Sequence, residues 1–232
     1  MICIPVMAGN CVEAHRKMEW SFPLSDLVEL RMDYMQPPDL KDLLKEHPER
    51  ILVTNRRKEE GGGFTGMERE RVGLLQEAVR QGAGYVDLEL STEETLMREF
   101  IETIRETEGR TQWIGSFHAF NGSISRETLQ KKLEEGVKKG ADVVKIVPYA
   151  RTMEDNLKVL TLIPYARKRG QTIIAFCMGE KGKISRVMAH LLGSYLTYVS
   201  IERGEETAPG QLTLREFQTI MERIGPSHGK AA

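Results

Sequence analysis

The chain has 232 residues, enough for one large domain or two small ones, and its 40% hydrophobic and 29% charged residues are ordinary for a soluble globular protein. Its 33 basic and 34 acidic residues give a formal net charge of -1 and are interspersed, so neither a polyanion nor a nucleic acid is an expected partner. Three cysteines (Cys3, Cys11 and Cys177) without CxxC spacing argue against a disulfide framework or a zinc site and fit a reducing compartment.

The apolar opening, residues 2–7, is the first of eight strand candidates. It is too short for a membrane span, and no basic leader precedes it, so a cytoplasmic location without membrane attachment is expected. The others are 27–33, 51–56, 85–90, 113–118, 142–148, 172–178 and 196–201, short runs rich in branched apolar residues. Between them apolar residues recur at helical spacing: Leu74, Leu75, Ala78 and Val79; Leu96, Phe100, Ile101 and Ile104; Leu129, Leu133 and Val137; and again through 157–167 and 217–224. Ser91 and Ser125 stand where helices should start, and Gly109, Gly140 and Gly170 where they should stop.

Eight strands alternating with helices in a chain of this length predict a (β/α)8 (TIM) barrel of the α/β class. The alternative, an open doubly wound sheet, normally carries GxGxxG after the first strand, and the Met7, Ala8, Gly9, Asn10 stretch does not match. No linker divides the chain. One domain over residues 1–225 is expected, followed by a small, polar and frayed tail, 226–232.

In such a barrel the chemistry sits at the C-terminal strand ends, and polar residues gather there. The second strand carries Glu29, Arg31 and Asp33 on one face, and the third ends in Thr54 and Arg56 before Gly61, Gly62 and Gly63, which predict a loop able to close over a ligand. The fourth ends in Asp87 and Glu89, and the fifth in His118, placed to carry protons near neutral pH. In the sixth, Lys145 lies among Val143, Val144, Ile146 and Val147. An amine in apolar surroundings, with Arg31 and Arg56 nearby, is expected to have a lowered pKa and to act as a nucleophile towards carbonyls. After the seventh, Gly179, Gly182, a Ser185 helix cap and Arg186 predict an anion site. Thr207 and Gln211 flank the Pro209–Gly210 turn after the eighth. His15, His47, His190 and His228 lack metal-ligand spacing.

The ordered set Glu29-x-Arg31-x-Asp33, Thr54-x-Arg56 with a following Glu-Gly-Gly, Asp87-x-Glu89, Ser116-x-His118, the strand Lys145, Met178-Gly-x-x-Gly-x-x-Ser185-Arg186 and Ala208-Pro-Gly-Gln211 resembles the type I 3-dehydroquinate dehydratases. The resemblance runs from the first strand to the closing helix. It implies dehydration of 3-dehydroquinate to 3-dehydroshikimate in the shikimate pathway by a homodimeric carbon–oxygen lyase with no metal or organic cofactor. It implies that Lys145 forms a Schiff base with the substrate ketone, His118 is the general acid and base, and Glu60 orients it. Glu29, Arg31 and Arg56 match the family's hydroxyl-binding and imine-side groups, Arg186 and Gln211 its carboxylate grip, and Met178 a residue packed near the ring. Thr207 stands where the family usually has Ser. The loop leaves a one-residue ambiguity between Glu59 and Glu60 as the histidine partner, and counting four residues on from Arg56 favours Glu60. Two rival readings are another Schiff-base barrel, an aldolase of a sugar phosphate gripped by Arg186, and a non-catalytic carboxylate sensor.

Overall fold

The strand–helix alternation is present in a computed structural model, which describes residues 1–36, 38–120 and 122–225; the expected tail, 226–232, lies outside them. In chain order the elements are β1 (Ile2–Val6), α1 (Cys11–Ser21), β2 (Leu27–Arg31), α2 (Leu40–Leu43), β3 (Ile51–Thr54) and α3 (Glu68–Arg80). Then follow β4 (Tyr85–Glu89), α4 (Glu94–Glu106), β5 (Gln112–Ala119), α5 (Arg126–Lys139), β6 (Val143–Pro148), α6 (Asp155–Leu160) and α7 (Leu162–Arg167). The last are β7 (Thr172–Ala175), α8 (Lys183–Leu192), β8 (Thr197–Ser200), β9 (Leu212–Thr213) and α9 (Leu214–Ile224). All pairs are parallel, in the order β7-β6-β5-β4-β3-β2-β1-β8-β9. Tyr195 N–H donates to the Ile173 carbonyl (2.8 Å), bringing the entry of β8 against β7, so the sheet curls into the expected barrel.

The strands read as apolar runs because both faces are covered. Every residue of β2 and β6 is buried, Lys145 included. The helices bury the residues that their spacing marks: Val72, Leu75, Ala78 and Val79 on α3, Leu96 and Phe100 on α4, Leu129 and Leu133 on α5. Ser125 caps α5, accepting from Thr128 N–H, and Gly140 stops it in the left-handed region at φ 90°.

Three local expectations are corrected. Strands two, three and seven are shorter than their apolar runs; after β2 the chain turns at once into a 3-10 turn, Met32–Tyr34, that swings Asp33 back onto Arg31. A ninth strand appears because the Ala208–Gln211 turn returns the chain beside β8, pairing Val199 with Leu212. Ser91 is not a helix cap, since α4 starts behind Glu93, which makes no side-chain cap bond; its hydroxyl donates to Glu60 instead.

Trp113 on β5 is 1% exposed, meets Phe100 edge-on at a centroid distance of 6.1 Å and donates its indole N–H to the Leu88 carbonyl. It pins α4 to the sheet. Trp113→Ala is expected to lower unfolding free energy by about 3–5 kcal/mol, read from urea denaturation followed by far-UV circular dichroism.

Candidate active site

A cavity opens to solvent at the C-terminal strand ends, with about 610 Å³ of space between its walls and mouth. Lys145, His118 and Glu60 line it, together with Glu29, Arg31, Arg56, Met178, Arg186, Thr207 and Gln211, so the barrel brings all the sequence-selected side chains to one place.

The surroundings of Lys145 differ from the apolar ones expected. Its Nζ donates to Asp87 Oδ2 at 3.0 Å, and the same oxygen pairs with Arg56 Nη2 at 2.7 Å. Arg56 Nη1 also reaches Glu89 Oε1 (2.8 Å) and Ser116 Oγ (2.7 Å), while Ser116 donates on to Asp87 Oδ1 (2.5 Å). Glu89 Oε2 lies 2.6 Å from Arg71 Nη1, an ion contact away from a straight hydrogen-bond line, and Arg71 pairs outward with Glu68, which also holds Arg57. The result is a row of alternating charges from the cavity to the surface. Burial alone would raise the Asp87 pKa, but Arg56 and Lys145 hold it well below the ordinary carboxylate range. On the next wall Glu29 accepts from Thr54 Oγ1 at 2.7 Å, and Arg31 is clamped by Asp33 at 2.9 and 2.6 Å.

His118 is on β5, beside Lys145's strand β6, with His118 opposite Val147 in register. Glu60 Oε2 accepts from both the His118 backbone N–H (3.0 Å) and, at 3.1 Å, the ring Nδ1; Ser91 donates to Oε1 at 2.7 Å. Burial would raise the Glu60 pKa, but the His118 contact and the Arg56 charge bring it down to about 2. A carboxylate only accepts, so Nδ1 carries the proton and a neutral ring has Nε2 free. Burial first, then the Arg56 charge, push the His118 pKa down to about 4, and Glu60 only partly offsets them. Glu60, not Glu59, is therefore the histidine's partner in the structure.

The glycine stretch that carries Glu60 is not an open lid. Gly63 N–H donates to Asp33, Gly62 N–H to the Arg57 carbonyl and Phe64 N–H to the Arg56 carbonyl. A Cβ on Gly62 would stand 2.0 Å from the Arg56 carbonyl oxygen. The glycine permits close packing that fixes Glu60 rather than loop motion.

Arg186 lies in the first turn of α8 and is 2% exposed. Ser185 is not its helix cap; it accepts from Cys177 N–H and donates to the Gly182 carbonyl, tying the helix start to the strand-seven turn. Arg186 has no carboxylate partner among the described residues: its Nη2 makes one long bond to the Pro209 carbonyl (3.4 Å), its plane lies 4.6 Å from the Phe176 ring centre, and Nε has no acceptor. Burial pushes its pKa down to about 10. Gln211 Oε1 accepts from Thr207 N–H (2.8 Å) and Thr207 Oγ1 (3.1 Å), so the amide nitrogen is left as a second buried donor without an acceptor. A buried unpaired guanidinium beside an unused amide is a site built for a carboxylate or another small anion.

The sequence reading missed Ser91, Arg71 and Tyr198 as parts of the site. The alternation of Asp87 and Glu89 showed a shared face but not which cations they meet. Among the described residues no group of three or more His, Cys, Asp or Glu side chains is placed to hold a metal ion, and no helix is long and apolar enough to cross a membrane.

Residues 2–227 match the profile of the family described as Type I 3-dehydroquinase. The 3-dehydroquinate dehydratase of Desulfotalea psychrophila is 38% identical over 86% of this chain and 87% of its own length. That of Syntrophobacter fumaroxidans is 37% identical over 97% of both chains. The crystal structure of 3-dehydroquinate dehydratase from Geobacillus kaustophilus superposes with a TM-score of 0.82 at 26% identity, covering 97% of this chain and 92% of that one.

Asp87 is, among the described residues, the one anion paired with both Lys145 and Arg56. Asp87→Asn keeps the shape and removes the charge, leaving buried cations under-neutralised; a loss of about 3–5 kcal/mol in stability is expected, measured as a lower urea midpoint at unchanged slope.

Proposed function

We propose, because the chain belongs to the type I 3-dehydroquinase family, that it converts 3-dehydroquinate to 3-dehydroshikimate through an imine on Lys145. The dehydration, a step of the shikimate pathway, goes with the family. The route rests on one observation: a lysine amine and a neutral, Glu60-oriented imidazole open into the same cavity as an unpaired, buried guanidinium. The sugar-phosphate aldolase and the carboxylate sensor are set aside by family membership.

The substrate carboxylate docks on Arg186 and the Gln211 amide, which Thr207 aims. The Lys145 ammonium gives up a proton and attacks the ketone carbon; a C–N bond forms, the carbonyl oxygen leaves as water, and a protonated imine remains. This cation withdraws electrons from the adjacent C–H bond, and no metal is needed to do so. His118 removes that proton through its free Nε2, and Glu60 steadies the imidazolium that results. The same proton then goes to the departing hydroxyl, which leaves as the second water as the ring double bond forms. Hydrolysis consumes one water, restores the ketone and frees Lys145, for a net loss of one. Asp87 faces the nitrogen throughout, because ammonium and protonated imine carry the same charge.

The same reading includes a homodimer in the cytoplasm with no nucleic-acid partner. The reading is supported by the family resemblance and, for the dimer, by three exposed apolar side chains: Met153 just before α6, Leu157 within it and Ile184 in the first turn of α8, which packs on α6.

Incubation with 3-dehydroquinate and borohydride is expected to leave a reduced adduct on Lys145, located by mass spectrometry; an adduct elsewhere, or none, would overturn the route. Lys145→Met is expected to lose nearly all turnover. In His118→Ala the imine should still be trapped while turnover drops by about a hundred- to ten-thousandfold. Because burial moves the His118 pKa down from 6.5 to about 4, its base form persists as pH falls below neutrality and is lost only through about pH 4. The acidic limb of kcat/KM is therefore expected near pH 4, not near 6.5, in a pH-rate profile.

A further inference from the structure

Tyr198 stands on β8, opposite Cys3 of β1 in register, and its side chain forms part of the cavity wall. Two observations single it out. The Nζ of Lys145 lies 4.5 Å from the centre of the Tyr198 ring, on the face of its π system. The Tyr198 hydroxyl is buried yet makes no hydrogen bond among the described residues.

A buried tyrosine ordinarily has a partner for its hydroxyl, since an unbonded phenol in a protein interior is unfavourable. Here the polar end is unused and the ring is the part in contact with a functional group. Phe176 packs at 6.0 Å from it, tilted by 60°, and holds the ring in place. Lys145 is thus set between a carboxylate, Asp87 at 3.0 Å, and an aromatic face.

We infer that Tyr198 is a further catalytic residue, whose ring face stabilises the positive charge that develops on the Lys145 nitrogen as the neutral amine condenses with the substrate ketone. The inference deepens the imine route and rests on it. In that step the ammonium first gives up a proton, the neutral amine adds to the ketone, and with the proton returned one water leaves and a protonated imine remains, so positive charge is rebuilt on the nitrogen as the imine forms. The lysine arm keeps its nitrogen over the same ring. Asp87 neutralises the charge from one direction, but a second carboxylate opposite it would leave the site anionic. An aromatic face attracts the cation through its quadrupole without adding charge, so the cation is stabilised and a negatively charged substrate is not repelled.

The test separates ring from hydroxyl and electrostatics from volume. In wild type, borohydride trapping on Lys145 first establishes the imine; if no adduct forms there, the parent reading fails and not this one alone. Given that adduct, Tyr198→Phe keeps the π face and is expected to trap within about threefold of the wild-type rate. Replacing position 198 with trifluorophenylalanine keeps the ring's shape but cancels much of its quadrupole, and an imine-trapping rate about tenfold below Tyr198→Phe is expected. Tyr198→Leu should be at least as slow. The decisive comparison is between Tyr198→Phe and its fluorinated counterpart, whose similar volumes remove packing as an explanation. Equal trapping rates in those two would overturn the inference, as would a Tyr198→Phe protein as slow as Tyr198→Leu, which would place the effect in the hydroxyl.

Discussion

The barrel mouth depends on one constraint: a lysine amine must be held out of bulk water and still be reachable by a ligand. An isolated buried ammonium is strongly unfavourable, and a single carboxylate brought in to neutralise it is itself a buried ion. The solution is a row in which each charge answers the last, from Lys145 through Asp87, Arg56, Glu89 and Arg71 to Glu68, where water reaches the chain. No member of the row can be read alone. Arg56 is suited to its position because its planar fork meets two carboxylates and the Ser116 hydroxyl at once, which the point charge of a lysine does not do.

The opposite wall follows the reverse rule. Arg31, Arg56 and Arg71 all have carboxylate partners, and Arg186, equally buried, has none among the described residues. The cavity is therefore polarised: neutralised around Lys145 and positive at Arg186. His118 sits between these ends, held neutral by burial and by the Arg56 charge, with Glu60 giving its ring one orientation.

Much of this was legible in the chain. The periodicities exposed the alternation of strands and helices, and polar residues at strand ends marked the face where they converge, because a parallel strand has no other reason to carry Glu29, His118 or Lys145. What was hidden depends on register between strands. That Asp87, on β4, reaches both Arg56 after β3 and Lys145 on β6 follows from the shear of the closed sheet, not from spacing along any one segment. Ser91 looked like a helix cap because hydroxyls before acidic residues usually are; tertiary contact with Glu60 claimed it instead. The glycines near Glu60 suggested mobility by composition, whereas their use is close approach to the Arg56 backbone.

The turns after β6, β7 and β8 interlock. A Cβ on Gly179 would stand 2.7 Å from the Tyr149 ring, and one on Gly210 would stand 2.2 Å from the Gly179 carbonyl oxygen, while Gly179 N–H donates to the Pro209 carbonyl at 2.9 Å. Tyr149 follows the lysine strand, Gly179 precedes the helix of Arg186, and Gly210 precedes Gln211. These turns therefore form one inheritable unit. A chimaera that imports any one of them from a relative with a different loop length inherits a mismatch at the other two, and grafts into this barrel have to exchange all three together.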